Sequence, residues 1–232
     1  MKKIVITQSN YIPWKGYFDA IALADEFVIY DDMQFTRRDW RNRNVIKTPA
    51  GSKWLTIPVE VKGKFFQKIN ETKISDANWN KDHWNVIKQN YSKANHFKEY
   101  KDFFEELYLN SKSVYLTEIN YQFINAICEI LDIKTDIRFS SEFDLKEERS
   151  ERLLDICLQL EGTDYYSGPA AKAYMNERVF KDANIGIHYF DYSGYPVYKQ
   201  MHEPFEHGVS IVDLLFNTGS DAKKMFKFLN EK

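Results

Sequence analysis

The N-terminal part of the chain places two short apolar runs on either side of one amphipathic segment. The apolar runs are residues 3–7 and 26–31, and residues 15–24 between them carry Phe18 and Ile21 at the spacing of one helix face. A strand that returns to a neighbouring strand through a helix runs parallel to it. This part of the chain therefore predicts the opening unit of an α/β fold.

Later segments continue the alternation of strands and helices. We expect a hairpin over residues 44–61 and helices over most of residues 78–131. The other predicted elements are a strand near Ile137, a helix over about 147–160, a strand at 163–168, a helix at 170–183, a strand at 185–192, and short helices at 209–217 and 221–229. Together they predict a single Rossmann-like α/β domain over residues 1–232, with a mostly parallel central sheet and a helical insertion.

Composition and charge exclude several classes of protein. The net charge of −2 gives no general attraction to nucleic acid or to anionic membranes. No apolar stretch approaches the roughly 18 residues that a membrane-spanning helix needs, and the N-terminal apolar run is too short for a signal peptide. Cys128 and Cys157 lie in apolar helical patterns, which indicates buried thiols in a reducing compartment. We therefore expect a cytoplasmic protein without a membrane span or a nucleic acid partner.

Polar side chains follow the first two predicted strands. Gln8, Asn10 and Tyr11 come after the first strand, and Asp31 and Asp32 come after the second. In open α/β sheets, ligands bind beyond the carboxyl ends of the strands, where helix N-termini also favour anions. These residues are therefore candidates for binding a ligand. The alternative is that they only cap the helix and end the strand.

An arginine-rich segment follows the second strand. Guanidinium groups match the geometry of phosphate and carboxylate, and they also stack on aromatic rings. A solvated charged loop is one alternative, and nucleic acid binding is disfavoured because the cluster is isolated and the net charge is negative. We expect this segment to bind a small phosphorylated ligand through Arg37, Arg38, Arg41, Arg43 and Asn44.

A second anion-type site is predicted at the strand-to-helix turn that contains Ser167 and Gly168. Pro169 suits the first position of a helix, and Lys172 follows one turn later. Because the segment lacks the spacing of a Walker motif, a capped structural turn is the favoured interpretation for this segment on its own.

Residues 202–207 read HEPFEH and raise the question of a metal site. The second His lies one residue too far for an HExxH helix, and Pro204 interrupts a helix, so no metal is expected here. His202 is interpreted instead as a general base or a hydrogen-bonding group on a loop. Tyr198 and Gln200 are predicted to contact the substrate beside it.

Several ordered motifs in these regions resemble one family. They are QSNYIPWKGYF at 8–18, DDMQFTRRDWRNRN at 31–44, WLTIPV at 54–59, YSG at 166–168, YPVYKQ at 195–200 with His202, and SIVDLLFN at 210–217. This set covers nearly the whole chain and is similar to the WbqC-like proteins, found among bacterial polysaccharide and O-antigen (lipopolysaccharide) biosynthesis genes. Members commonly have Gln-Pro where this chain has Gln8 and Ser9, so the loop here is expected to be less rigid.

The resemblance implies a glycyl or aminoacyl transferase acting on an amino sugar. We therefore hypothesise an N-acyltransferase for a nucleotide-linked amino sugar, with His202 or Asp32 as the base and with Asn10, Tyr11 and Gln200 as hydrogen-bond donors. The residues imply no firm cofactor, and a pantetheine thioester on CoA or an acyl carrier protein is a candidate acyl donor. The alternatives are a non-catalytic protein that binds nucleotide sugar or acyl carrier, and an ATP-dependent adenylating enzyme.

Overall fold

The computed structural model describes residues 1–229, and its strands and helices alternate as the sequence predicts. The strands are β1 (Lys3–Thr7), β2 (Glu26–Ile29), β3 (Arg43–Thr48), β4 (Gly51–Thr56), β5 (Asp136–Phe139), β6 (Asp164–Ser167) and β7 (Gly186–Tyr189). The α-helices are α1 (Lys15–Leu23), α2 (Trp79–Tyr91), α3 (Phe97–Leu109), α4 (Leu116–Leu131), α5 (Arg149–Gln159), α6 (Glu177–Asp182) and α7 (Ile211–Thr218). Short 3-10 helices cover Ser140–Glu142, Pro169–Ala173 and Gly219–Met225. Within residues 1–229, no helix has both the length and the hydropathy to cross a membrane.

The central sheet has five parallel strands in the order β5-β2-β1-β6-β7. Strand β1 lies in the middle, where Val5 pairs with Phe27 on one side and with Tyr166 on the other. The chain extends the sheet from β1 to β2 and β5, and only later adds β6 and β7 on the opposite side. The carboxyl ends of β1 and β6 therefore border the point where strand order reverses, the usual ligand crevice of an open α/β sheet.

Both faces of the sheet are covered. On one face a contiguous apolar core includes Val5, Phe27 and side chains such as Trp84, Phe123 and Phe216 from α2, α4 and α7. The other face buries a second cluster against α5 and α6. The antiparallel hairpin of β3 and β4 and the helices α2, α3 and α4 fall in the segments predicted for them, and the prediction of a Rossmann-like fold with a mostly parallel sheet is confirmed.

Two predicted helices are shorter than their sequence patterns suggest. Residues 170–183 form a 3-10 turn and then α6, because the backbone N–H of Asn176 donates to Ser150 Oγ at 3.1 Å instead of continuing a helical ladder. Residues 221–229 begin in a 3-10 helix and then leave it. The backbone N–H groups of 227–229 donate to the buried Asp19 carboxylate, at 2.8–3.1 Å. Tertiary hydrogen bonds override the helical pattern at both places.

Candidate functional site

The polar segments that follow β1 and β2 meet through direct hydrogen bonds. The backbone N–H and the hydroxyl of Ser9 donate to the Asp31 carboxylate at 2.8 and 2.6 Å, and the Thr117 hydroxyl also donates to it. Asn120 donates to Ser9 Oγ at 2.9 Å. Burial raises the pKa of the Asp31 carboxyl, although the hydrogen bonds from Ser9 and Thr117 oppose the change. The buried Asp31 carboxylate therefore fixes the loop after β1 through its hydrogen bonds with Ser9.

Tyr11 belongs to the core. Its ring is fully buried, and its hydroxyl lies 2.8 Å from both Tyr108 Oη and His83 Nδ1. Burial lowers the pKa of His83 to about 4, so the imidazole is neutral at pH 7. The hydroxyl of Tyr11, which was predicted to be catalytic, thus belongs to a buried hydrogen-bond network with Tyr108 and His83 beneath the loop after β1.

Two of the predicted arginines hold protein segments in place. Arg41 Nη1 donates to Asn10 Oδ1 at 2.5 Å and also lies within 3.4 Å of the carbonyl oxygens of Gln8 and Ser9. The Arg43 guanidinium stacks 4.0 Å from the centre of the Trp54 ring. These side chains shape the loops after β1 and β2.

The other two arginines, Arg37 and Arg38, are exposed. Arg37 Nη2 donates to the carbonyl oxygen of Val61 at 3.2 Å and borders a separate surface cavity. The structure therefore does not bring the four arginines together around one anion.

One cavity lies where β1 and β6 end, and we call it the sheet-edge cavity. It has a volume of about 230 Å³ and brings together three predicted residues, Gln8, Ser167 and Gly168. Tyr30 and Arg149 also line it, and the sequence did not identify either one. The predicted Lys172 is exposed and lies 4.9 Å from the ring centre of Tyr189, outside this lining.

A second cavity of about 290 Å³ lies between the loop after β1, the arginine segment and the turn before α7; we call it the loop cavity. Its lining is Asn10, Pro13, Trp14, Trp40, Asn44, His207 and Gly208. The amide of Asn44 donates to the carbonyl oxygens of Tyr11 and Ile12, at 3.0 Å each, and so fixes the loop. Gln8 lines one cavity and Asn10 lines the other, so the two cavities share the loop after β1.

His207 is the titratable side chain in the lining of the loop cavity. Partial burial lowers its pKa, and the positive charge of Lys15 lowers it further. The imidazole is therefore neutral at pH 7 and able to accept a proton. The HEPFEH pattern raised His207 only as a metal ligand, although its position beside Gly208 and the α7 N-cap Ser210 marks a loop leading into a helix.

Lys15 is a buried lysine at the start of α1. Its Nζ donates to the carbonyl oxygen of Pro196 at 2.8 Å, and it lies 5.3 Å from the ring centres of both Tyr195 and Tyr198. Burial lowers the pKa of Lys15 to about 8, although Asp19 opposes the change. The side chain therefore places a weakly solvated cation close enough to act electrostatically on His207.

The predicted residues Tyr198 and Gln200 hold the segment that carries His207. Their side chains donate to Asp213 Oδ1 at 2.8 and 2.9 Å, and Tyr91 donates to Oδ2 at 2.8 Å. Burial raises the pKa of the Asp213 carboxyl. Gln200 also accepts the backbone N–H of Glu206 at 2.8 Å, which fixes the turn next to His207.

The two other predicted catalytic residues lie outside the linings of both cavities. His202 is half-buried, and its Nε2 lies 3.4 Å from the carbonyl oxygen of Asn90. Asp32 accepts hydrogen bonds from Ser140 Oγ and from Asn70 Nδ2 and lies 3.7 Å from Lys68 Nζ. Their catalytic roles stay predictions.

Comparison with known proteins gives a family and one named relative. A match to the WbqC-like protein family covers residues 8–225. The chain is 49% identical over 231 residues to the uncharacterized protein Rv1507c of Mycobacterium tuberculosis (strain ATCC 25618 / H37Rv), and the alignment covers 100% of both chains. No solved structure matches the chain. The chain belongs to the WbqC-like protein family.

Proposed function

We propose that the protein is an N-acyltransferase that moves a glycyl or other aminoacyl group onto a nucleotide-linked amino sugar during bacterial polysaccharide (O-antigen) biosynthesis. The observation that carries the proposal is the loop cavity, in which the exposed imidazole of His207, with its lowered pKa, shares one lining with Asn10, Trp14 and Trp40. The class of substrate comes from the family resemblance. The chemistry comes from these side chains.

Amide formation from a thioester needs a base, a donor to the oxyanion and two aligned substrates. The sugar amine attacks the acyl carbon, so that a C–N bond forms and the C–S bond breaks. His207 takes the proton from the amine and passes it to the departing thiolate. The Trp14 and Trp40 rings provide flat apolar walls for the acyl donor.

Asn10 is the proposed donor to the oxyanion. Arg41 holds Asn10 Oδ1 at 2.5 Å, which orients the side-chain amide and leaves its N–H group as the end that donates to the substrate. Partial burial and the charge of Lys15 lower the pKa of His207, against the effect of Glu206, which favours the unprotonated base before the reaction. An amide donor that is fixed in advance costs no reorganisation as the oxyanion forms.

The arrangement predicted from sequence is the alternative within the same function. In it His202 is the base, Asp32 positions the amine or the sugar, and Asn10, Tyr11 and Gln200 are the hydrogen-bond donors. His202 lies on the same irregular segment as His207 but contacts Asn90 instead of the cavity. Matched substitutions of the two histidines separate the two arrangements.

The function is tested by turnover. Purified protein is mixed with UDP- or dTDP-linked amino sugars and with glycyl or acetyl thioesters of CoA or an acyl carrier protein, and mass spectrometry detects the amide product. An amide product in one donor–acceptor pair supports the transferase. Binding of the same ligands without product in any pair contradicts it and favours the non-catalytic binding protein, and pyrophosphate release from ATP with glycine would identify the adenylating enzyme.

A further inference from the structure

One residue in the lining of the sheet-edge cavity, Tyr30, carries a buried hydroxyl without a hydrogen-bond partner. Tyr30 lies directly after β2, is 4% exposed and lines the cavity. Its hydroxyl makes no hydrogen bond within residues 1–229. A buried hydroxyl that is not hydrogen-bonded is costly, so natural proteins rarely keep one without a use. Removing the hydroxyl by substitution with Phe would relieve that cost.

Two arginines of α5 lie near the Tyr30 side chain, and the exposed Arg149 also lies 4.7 Å from the centre of the Tyr174 ring. Arg149 lines the cavity at the first position of the helix, and the Arg152 guanidinium lies 5.5 Å from the centre of the Tyr30 ring. Arg152 Nε is buried and also lacks a hydrogen-bond partner among residues 1–229. The cavity lining therefore combines one residue with an unpartnered donor, Tyr30, and the first residue of an 11-residue helix whose N-terminal partial charge is positive.

The acidic groups near Tyr30 have partners elsewhere. Asp32, the carboxylate whose charge acts on Tyr30, is held by Ser140, Asn70 and Lys68. Glu148 caps α5 by accepting the backbone N–H of Glu151 at 2.8 Å, and neither glutamate lines the cavity. The cavity thus keeps a surplus of donors and positive charge.

We propose that the sheet-edge cavity binds a phosphate or diphosphate group, which accepts hydrogen bonds from the Tyr30 hydroxyl and the Arg149 guanidinium. Arginine and phenol donors beside a helix N-terminus suit a group with several negatively charged oxygens. Gln8, Ser167 and the open backbone at Gly168 complete the wall, at the strand ends where α/β proteins bind nucleotides.

This site deepens the proposed function and rests on it for the identity of the ligand. Because the two cavities share the loop after β1, a diphosphate in the sheet-edge cavity would leave the attached group close to Asn10 and His207. The diphosphate has two possible sources. It belongs either to the nucleotide sugar or to the nucleotide part of CoA, and the experiment compares them.

The test is isothermal titration calorimetry at low salt with pyrophosphate, UDP, ADP and CoA. The variants are Tyr30→Phe and Arg149→Gln, with Tyr189→Phe and Arg178→Gln as controls. The two control side chains are bonded elsewhere, to Glu177 and Asp182 respectively. We expect wild type to bind pyrophosphate and at least one nucleotide. Each site variant should weaken binding about 10-fold or more, and the controls should not.

The melting temperature of the ligand-free protein provides a second readout. Tyr30→Phe should melt at the wild-type temperature or above, because it removes an unpartnered hydroxyl. A clear fall would show that the hydroxyl bonds within the protein, and it would overturn the proposal. The proposal is also overturned if wild type binds none of the four ligands, or if both site variants bind them as wild type does.

These outcomes are separate from those of the turnover assay. Phosphate binding that depends on Tyr30 and Arg149, without any amide product, would support the proposed phosphate site and contradict the proposed transferase activity. Amide formation that neither substitution changes would support the transferase activity and contradict the proposed phosphate site. Stronger binding of UDP than of ADP and CoA assigns the cavity to the sugar nucleotide, and the reverse order assigns it to the acyl donor.

Discussion

The two cavities share one loop but are built in different ways. The sheet-edge cavity is formed by strand ends, α5 and the 3-10 helix at Pro169–Ala173, and one residue of its lining, Tyr30, has a hydroxyl without a partner. The loop cavity is formed by irregular segments, and buried networks around Asp31 and Asp213 hold those segments in place. In α/β proteins the rigid scaffold positions a ligand while loops carry reactive side chains. We infer the same division here.

The largest stability effect should come from the network behind the loop cavity. Asp213→Ala leaves the buried hydroxyls of Tyr91 and Tyr198 and the amide of Gln200 without their shared acceptor. We expect a loss of at least about 3 kcal/mol in the free energy of unfolding, or a fall of about 6–12 °C in Tm. Thermal denaturation measures this. Asp221→Ala, which removes an exposed carboxylate, is the control and should change little.

Acid should lower the free energy of unfolding through the protonation of His83, whose ring contacts Tyr11 in the loop after β1. Its folded-state pKa of about 4 lies below the ordinary 6.5, so the stability that neutral His83 provides is present above pH 6.5 and is lost as the pH falls toward 4. The gap between the two values corresponds to about 3 kcal/mol. Urea denaturation at several pH values should show this loss in wild type but not in His83→Gln.

The comparison with His83→Gln is needed because other buried groups act in the opposite direction. The raised pKa values of Asp31 and Asp213 give stability that increases as the pH falls. An equal pH dependence in wild type and His83→Gln would mean that His83 is already protonated or solvated in the folded protein.

The smallest expected effect concerns the electrostatics of the loop cavity. Partial burial and the charge of Lys15 lower the pKa of His207 from its ordinary 6.5, so the acid limb of kcat/KM should have its midpoint below pH 6.5. Lys15→Met removes that charge and should move the midpoint upward, by less than one pH unit. A pH–rate profile of both proteins checks this shift. An unchanged midpoint would mean that the charge of Lys15 does not influence the pKa of the catalytic base.

The sequence predicted much of the scaffold because its patterns are local. The apolar runs of β1 and β2 and the amphipathic α1 determine a parallel crossover, and the polar residues after each strand do meet, at Ser9 and Asp31. The helix predicted at 170–183 is interrupted for a non-local reason, since Ser150 accepts the N–H of Asn176. No local pattern carries that information.

The site could be predicted only in part, for the same reason. Gln8, Ser167 and Gly168 follow strands and were identified by position. Tyr30 and Arg149 line the same cavity but are far apart in the chain, and only the strand order brings them together. Arg41, Tyr198 and Gln200 have residue types that suit ligand binding, yet the folded chain uses them to hold loops.

The central claim is that the loop cavity carries the base, and kinetics of His207→Gln beside His202→Gln test it most directly. Both changes keep a polar side chain and remove the imidazole, so they differ only in which histidine is lost. With a productive acyl donor and amino sugar, we expect His207→Gln to lower kcat by about 10²–10⁴ and His202→Gln to change it by less than about 3-fold. The reverse pattern, or full activity in His207→Gln, would contradict the claim.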